Sequence, residues 1–211
     1  MKFEFFILIL TNGQKGSIMS PRKRASEELT IDTILQIARK QFVKNGYQHV
    51  SMRSIANELN CTHGALYYHV KNKAELFYMI VESDFTRLNT IVENVMEEEG
   101  DNRDKLMNLF LSIIKFGLDH QSEFEVMFTI RHNEVDSLTH QSAHLCYQTF
   151  SKAVHQLIDD HTLHLQEVYA TFIALQGFII HQHRYVNNFA EAEDAALSYV
   201  KFVVRGLIGV D

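Results

Sequence analysis

The sequence predicts an all-α fold, and three observations carry that expectation. One proline and nine glycines in 211 residues leave few sharp turns. Apolar residues recur at three- and four-residue spacing through most of the chain, and capping residues stand just ahead of several such stretches. At 46% hydrophobic the chain is able to bury one sizeable core, or a small unit joined to a medium one. That composition excludes collagen-like, disordered and disulfide-dense classes.

The elements follow in order. Residues 1–18 contain the apolar run Phe5 to Leu10, too short to cross a bilayer and followed by no clear small-residue cleavage site. Met19-Ser-Pro-Arg-Lys-Arg reads as the natural start of a basic arm, leaving 1–18 as a disordered or mis-started extension. Ile34, Leu35, Ala38 and Phe42 mark one face of a helix over 30–45 that stops at Gly46. Ser51 caps a two-turn helix with Ile55, Ala56 and Leu59 inward. Asn60 supplies a residue tolerant of the left-handed region, and Thr62 caps a second short helix through His69 with Leu66 inward. Asn72 and Glu75 form a capping-box pattern for a long helix from Lys73 to Glu98. Further helices are expected at 102–119, 121–131, 137–159, 163–187 and 190–208. The absence of a Pro-rich linker implies that front and rear portions share the long fourth helix.

Charge is unevenly placed. Residues 19–80 hold nine Lys/Arg against five Asp/Glu, and residues 81–211 hold nine against twenty. A basic front on an acidic body suits a phosphate-binding module, although an ordinary solvated face explains the charge equally well. Cys61 and Cys146 lack CxxC or finger spacing, which points to reduced thiols and a cytoplasmic protein. Nine histidines (His120, His132, His140, His144, His155, His161, His164, His181 and His183) lie in the rear portion. His140 and His144 stand i, i+4, yet no HExxH, Glu-x-x-His or Cys/His cluster accompanies them. No metal and no cofactor is expected. An enzyme reading based on these histidines lacks a paired nucleophile and base.

A short helix, a tight turn and a second short helix, backed by the first helix, form the geometry that places a recognition helix in the major groove. The stretch Ile34-Leu-Gln-Ile-Ala … Phe42 … Gly46-Tyr47 … Ser51-Met-Arg-Ser-Ile-Ala-Asn-Glu-Leu-Asn-Cys-Thr-His-Gly-Ala-Leu-Tyr-Tyr-His-Val-Lys-Asn-Lys73 … Leu76 resembles the DNA-binding domain of the TetR family over residues 31–80. Asn60 stands where that family most often has glycine, and Cys61 where it has a small aliphatic residue. The resemblance implies that Arg53 reads a base edge, that Thr62 and His63 open the recognition helix, and that Tyr67 and Tyr68 touch phosphates, sugars or thymine methyls. His69 and Lys73 would grip the backbone, assisted by the helix N-termini at Ser51 and Asn72. Two competing readings remain open, Tyr68 as a core aromatic and His63 as a solvated neighbour of the cap.

The resemblance also implies a helix-turn-helix unit over 19–76 and a ligand-binding and dimerisation domain over 77–211. Phe85, Leu88, Phe110, Ile114, Met127, Tyr147, Phe150, Phe172 and Gln176 are candidates for an effector pocket, with plain core an equal alternative for each. Ile173 and Ile180, followed by Tyr199, Phe202 and Val203, suit a two-helix face that pairs with its twofold mate in a four-helix bundle, against burial within one subunit. The function implied is a ligand-responsive DNA-binding transcriptional regulator, read as a homodimeric repressor that a small, largely apolar effector releases from a near-palindromic double-stranded operator. It has no membrane association and is not an enzyme.

Overall fold

A computed structural model describes residues 29–131, 133, 135–158 and 163–208, with 136–138 described in backbone only. The extension 1–18, the start at Met19 and its basic arm, His132 and His161 lie outside those residues. The described residues are helical, without a strand. The helices are α1 (Ile31–Asn45), α2 (Met52–Glu58), α3 (His63–His69), α4 (Lys73–Glu97), α5 (Asn102–Asp119), α6 (Gln121–Phe128), α7 (Asp136–Leu157), α8 (Leu165–Gln182) and α9 (Glu193–Ile208). Single 3-10 turns stand at Tyr47–His49 and Phe189–Ala192.

Side-chain caps set most of the starts. Thr30 accepts from Thr33 N, Thr62 from Ala65 N, Asn72 from Glu75 N, and Asp101 from Arg103 N and Asp104 N. Each such cap contributes roughly 1 kcal/mol. The box expected at Asn72 differs in one partner, since Glu75 accepts the Lys71 N–H. A full box forms instead at Ser51, closed by Ser54.

Three helices depart from their expected bounds, each because the backbone finds other partners. Thr129 and Ile130 both donate to Glu125 O, at 2.9 and 3.0 Å, so α6 ends at Phe128 and not at 131. Tyr185 and Val186 both return to Gln182 O, and His183 Nε2 lies 2.9 Å from Gly117 O, which turns the chain before 187. The region 190–192 is a 3-10 turn capped by Asn188, and α9 begins at Glu193.

One continuous apolar core runs through the molecule. At the front, Ile34, Ala38 and Phe42 of α1, Ile55 of α2, Leu66 of α3 and Leu76, Phe77 and Ile80 of α4 are all fully buried. Phe42, Tyr47 and Phe77 form a mutual aromatic triad with centroids 5.1–5.6 Å apart. At the rear, Phe85, Leu88 and Val92 of α4 are buried, as are Phe110 of α5, Phe150 of α7 and Leu175 and Ile179 of α8. Gly117 allows the close approach of α5 and α8, because a Cβ there would stand 2.6 Å from Ile179 Cγ2.

The front unit is joined to the body by charge as well as packing. Arg39 of α1 donates from Nε and Nη2 to the two oxygens of Asp84 in α4, a side chain with no exposed area. Glu123 of α6 stands 3.9 Å from Arg39 and 3.8 Å from Arg87 of α4. Burial pushes the Asp84 carboxyl up to about 6 from its ordinary 3.8, against the lowering pull of Arg39.

A prediction follows from the sign of that shift. Over pH 4–6 the folded chain retains a proton on Asp84 that the unfolded chain has released, so this group lowers stability as pH rises. The loss, about 3 kcal/mol for a two-unit displacement, is complete above about pH 6. Asp84→Asn lacks the titration. Urea denaturation at pH 4, 5, 6 and 7 is expected to show wild type losing about that much relative to the variant, and parallel curves would refute the assignment.

Candidate nucleic-acid interface

The turn between α2 and α3 is held from below. Gln41 of α1, itself buried, donates to Ser54 O and to the Glu58 carboxylate, while Ser54 Oγ donates to Gln41 Oε1 at 2.8 Å. At the turn, Asn60 has φ 52°, the single positive-φ non-glycine among the described residues, and Cys61 N donates to Ala56 O at 3.0 Å. Asparagine tolerates this region better than other side chains, so the departure from glycine leaves the turn intact.

Recognition-helix geometry follows from one anchor. Leu66 is fully buried, and α3 has only seven residues, so its other face must look outward. Thr62 and His63 are exposed on that face, together with Tyr67 at 44% and Tyr68 at 87% of their full areas. An aromatic side chain left that open is no core residue, which removes the competing reading of Tyr68. The His63 and Tyr67 rings meet edge-on at 4.8 Å, so each restrains the other. Arg53, exposed in the first turn of α2, and His63 both line a hollow of about 300 Å³ with Ala56, Asn57 and Cys61.

Other candidates are more constrained. Ser51 Oγ accepts from Ser54 N as the α2 cap. His69 is half-buried, with its ring 5.3 Å from Tyr68. Lys73 is also half-buried, its ammonium donating to Tyr47 O at 3.0 Å and lying 4.1 Å from the Tyr47 ring centroid. Lys71, which sequence reasoning passed over, is exposed beside the start of α4, its ammonium 3.9 Å from Glu75 Oε1.

In the body, the pocket candidates are brought together. Phe85 and Phe124 meet Phe128, Phe128 meets Phe172, and Phe172 in turn meets Tyr147 and Phe150, with centroids 4.7–6.2 Å apart. Phe110 packs on Phe150. Leu88, Ile114 and Met127 are buried, and Gln176 is half-buried. Of the dimer candidates, Ile173, Ile180 and Phe202 are exposed, Phe202 at 74%. Val203 and Tyr199 are half-buried, the latter stacked on Phe178 at 4.6 Å. Phe172 and Ile179 on the same helix face inward.

His140 and His144 are exposed, His155 bonds Ser151 O, and His183 meets Gly117 O. Among the described residues no group of three His, Cys, Asp or Glu is placed to hold a metal ion, and no helix is long and apolar enough to cross a membrane. Cys61 and Cys146 are both free, and burial pushes the Cys146 thiol up to about 12. The residues that sequence reasoning missed are Arg39, Asp84, Gln41 and Glu123. Their signal was polar side chains on apolar stripes, such as Asp84 between Val81 and Leu88.

An all-helical body carrying a helix-turn-helix at its front defines the structural class. Residues 34–78 match the family described as Bacterial regulatory proteins, tetR family. An HTH-type transcriptional regulator of Staphylococcus aureus strain MRSA252 is 30% identical over 101 residues, 48% of this chain and 54% of the relative. A counterpart in strain USA300 is 29% identical over the same length. The chain thus spans about half the length of the curated relatives it matches. Among solved structures, a tetR-family regulatory protein from Rhodococcus RHA1 aligns with a TM-score of 0.67 at 18% identity, covering 86% of this chain and 98% of that one. The fatty acid degradation regulator FadR from Bacillus halodurans aligns with a TM-score of 0.66 at 15% identity, covering 85% and 94%. At those identities the likeness concerns the fold. The chain is thus similar to the tetR family over residues 34–78, and over most of its length it shares the fold of the solved TetR-family structures.

The strained turn gives a direct test. Asn60→Val is expected to destabilise by about 1–2 kcal/mol and Asn60→Gly to change stability by only about a few tenths. Urea midpoints that coincide for all three proteins would show that the left-handed backbone at Asn60 costs nothing.

Proposed function

We propose that the chain is a DNA-binding transcriptional regulator that acts as a homodimeric repressor and leaves its operator when a small, largely apolar effector binds. The observation that carries this reading is the outward face of α3, where Thr62, His63, Tyr67 and Tyr68 stand in solvent around a single buried anchor, Leu66. Aromatic area exposed on so short a helix, next to Arg53 and on the basic end of the chain, suits a double-stranded DNA groove.

Arg53 offers a guanidinium to the paired acceptors of guanine, and His63 lines the same hollow. Tyr67 and Tyr68 supply hydroxyls for phosphate and ring faces for sugar or thymine methyl. His69 and the N-termini capped by Ser51 and Asn72 serve the backbone. Lys73 sets the position of Tyr47 at the same time as it adds charge beside the DNA. Residues 19–76 form the reading unit and 77–211 the sensing and dimerising body, in a cytoplasmic protein.

Ile173, Ile180 and Phe202, with Tyr199 and Val203 at their margin, form an apolar surface on α8 and α9 that a twofold copy covers. Pairing sets two recognition helices about one helical turn apart, or a multiple of it, on a near-palindromic operator. The aromatic group around Phe172 is where an apolar effector enters, by displacing rings that now touch one another. Release requires that the effector favour the DNA-incompetent state, and a hundredfold preference corresponds to roughly 2.7 kcal/mol.

Fluorescence anisotropy on DNA from upstream of the chain's own gene, with scrambled DNA and a salt series, tests the reading. Saturable, salt-sensitive and fragment-selective binding is expected, at least about tenfold weaker in Tyr67→Ala with an unchanged melting temperature. Equal, weak binding to every fragment would refute it.

Dimerisation has its own measurement. Sedimentation equilibrium is expected to give twice the 24.5 kDa chain mass for wild type and one chain mass for Phe202→Glu, because a carboxylate on an apolar contact is desolvated without a partner. A variant that remains as dimeric as wild type would remove α9 from the interface.

A further inference from the structure

Between α4 and α5, away from the aromatic interior, the surface opens into a groove of about 260 Å³. That is just under the usual range of small-molecule sites, ~300–1,000 Å³. Its lining has two parts. Ile91 and Phe116 give an apolar floor, while Arg87, Lys115, His120 and Ser112 give a polar rim rich in donors. Phe116 is buried, its face partly covered by the Arg87 guanidinium 5.7 Å from the ring centroid.

The rim charges are not equally committed. Lys115 is paired with Asp119 at 2.7 Å, and the other oxygen of Asp119, the one carboxylate in the lining, accepts the Phe189 N–H at 2.8 Å. Arg87 holds only a loose ion pair, 3.8 Å from Glu123, and lies 3.3 Å from His120 Nε2. About half of its side chain is exposed. A guanidinium beside an apolar floor, with a hydroxyl and a second cation nearby, is arranged for a planar carboxylate that accepts two parallel N–H bonds while its body covers Ile91 and Phe116.

We propose that this groove is a binding site for a small organic carboxylate with a flat or short apolar body, separate from the aromatic interior. Arg87 is its principal anchor and Lys115 a secondary one. Glu123 competes with the ligand for Arg87, and Glu123 also faces Arg39 at the joint between α1 and α4. Occupation of the groove therefore draws Arg87 from Glu123 and leaves that carboxylate to compete with Asp84 for Arg39. The site stands without the DNA-binding reading, since its occupation is measured in the absence of DNA.

Isothermal titration of the full chain with benzoate as probe tests the site, with benzamide as the neutral isostere and inorganic phosphate as an anion without an apolar body. Benzoate is expected to bind saturably and both comparators at least about tenfold more weakly, as loss of a charge-assisted bond requires. Arg87→Gln is expected to weaken benzoate by about tenfold or more, and Lys115→Gln by about two- to fivefold. Glu123→Gln, which removes the competitor, is expected to tighten benzoate by about threefold, a gain that a misfolded variant does not produce. Circular dichroism confirms that each variant is folded. The proposal is overturned by benzoate that fails to saturate, by benzamide that binds equally well, by phosphate alone occupying the site, or by an affinity unmoved in both Arg87→Gln and Glu123→Gln.

Discussion

The bond between Arg39 and Asp84 is the constraint on which the arrangement of the two halves depends. Asp84 has no exposed area and stands near the middle of α4, whereas Arg39 projects from α1 of the front unit. Burial opposes the ionised carboxylate more strongly than Arg39 favours it, as the upward displacement of its pKa shows. A pair of that kind adds little net stability compared with well-packed apolar residues, yet removal of one partner strands a charge and costs several kcal/mol. What the pair supplies is direction. Two N–H donors on two oxygens fix both the distance and the rotation of α1 against α4, which apolar contact alone specifies loosely.

Around that bond the fold is stiffened at both ends of the first half of α4. The Phe42–Tyr47–Phe77 triad ties the C-terminus of α1 to α4, and Lys73 closes the same contact by bonding the Tyr47 carbonyl over its own ring. Gln41 then connects α1 to both ends of α2. The orientation of α3 is thus set through a short series of polar anchors, each buried or half-buried, from a helix whose later turns lie in the body's core. The turns of α4 that carry Phe85 and Leu88 and those beside α3 belong to one uninterrupted helix, Lys73–Glu97.

Much of this was legible from residue types alone, and the reason is local. Capping hydroxyls and amides at Thr30, Ser51, Thr62 and Asn72 act within three residues, and Asn60 reports a backbone torsion that belongs to itself. The ends of α6, α8 and α9 were not legible, because Glu125 O and Gln182 O each receive two N–H groups in turns that no periodicity announces. Lys73 was readable as a cation near DNA but not as a strut, since Tyr47 lies 26 residues earlier and meets it only after folding. Asp84 was the least legible of all. Its partner is 45 residues away, and an acidic residue on an apolar stripe carries no sequence mark of the arginine that will satisfy it.

The exposed apolar residues on the last two helices raise a question of economy in the fold. Both helices already use one face against α5, where Leu175, Ile179, Val200 and Val204 are buried. Their other faces leave Leu165, Tyr169, Ile173, Ile180 and Phe202 in water. A single exposed leucine is ordinary, but large side chains at i, i+4 spacing from Leu165 through Tyr169 to Ile173, with Ile180 on the same helix and Phe202 on α9, are more than scattered surface residues. Covering a large side chain of this kind fully is worth at most about 1.5–3 kcal/mol before the entropy of association is subtracted. The same two helices that cap the body's core are therefore the ones with most apolar area left to cover.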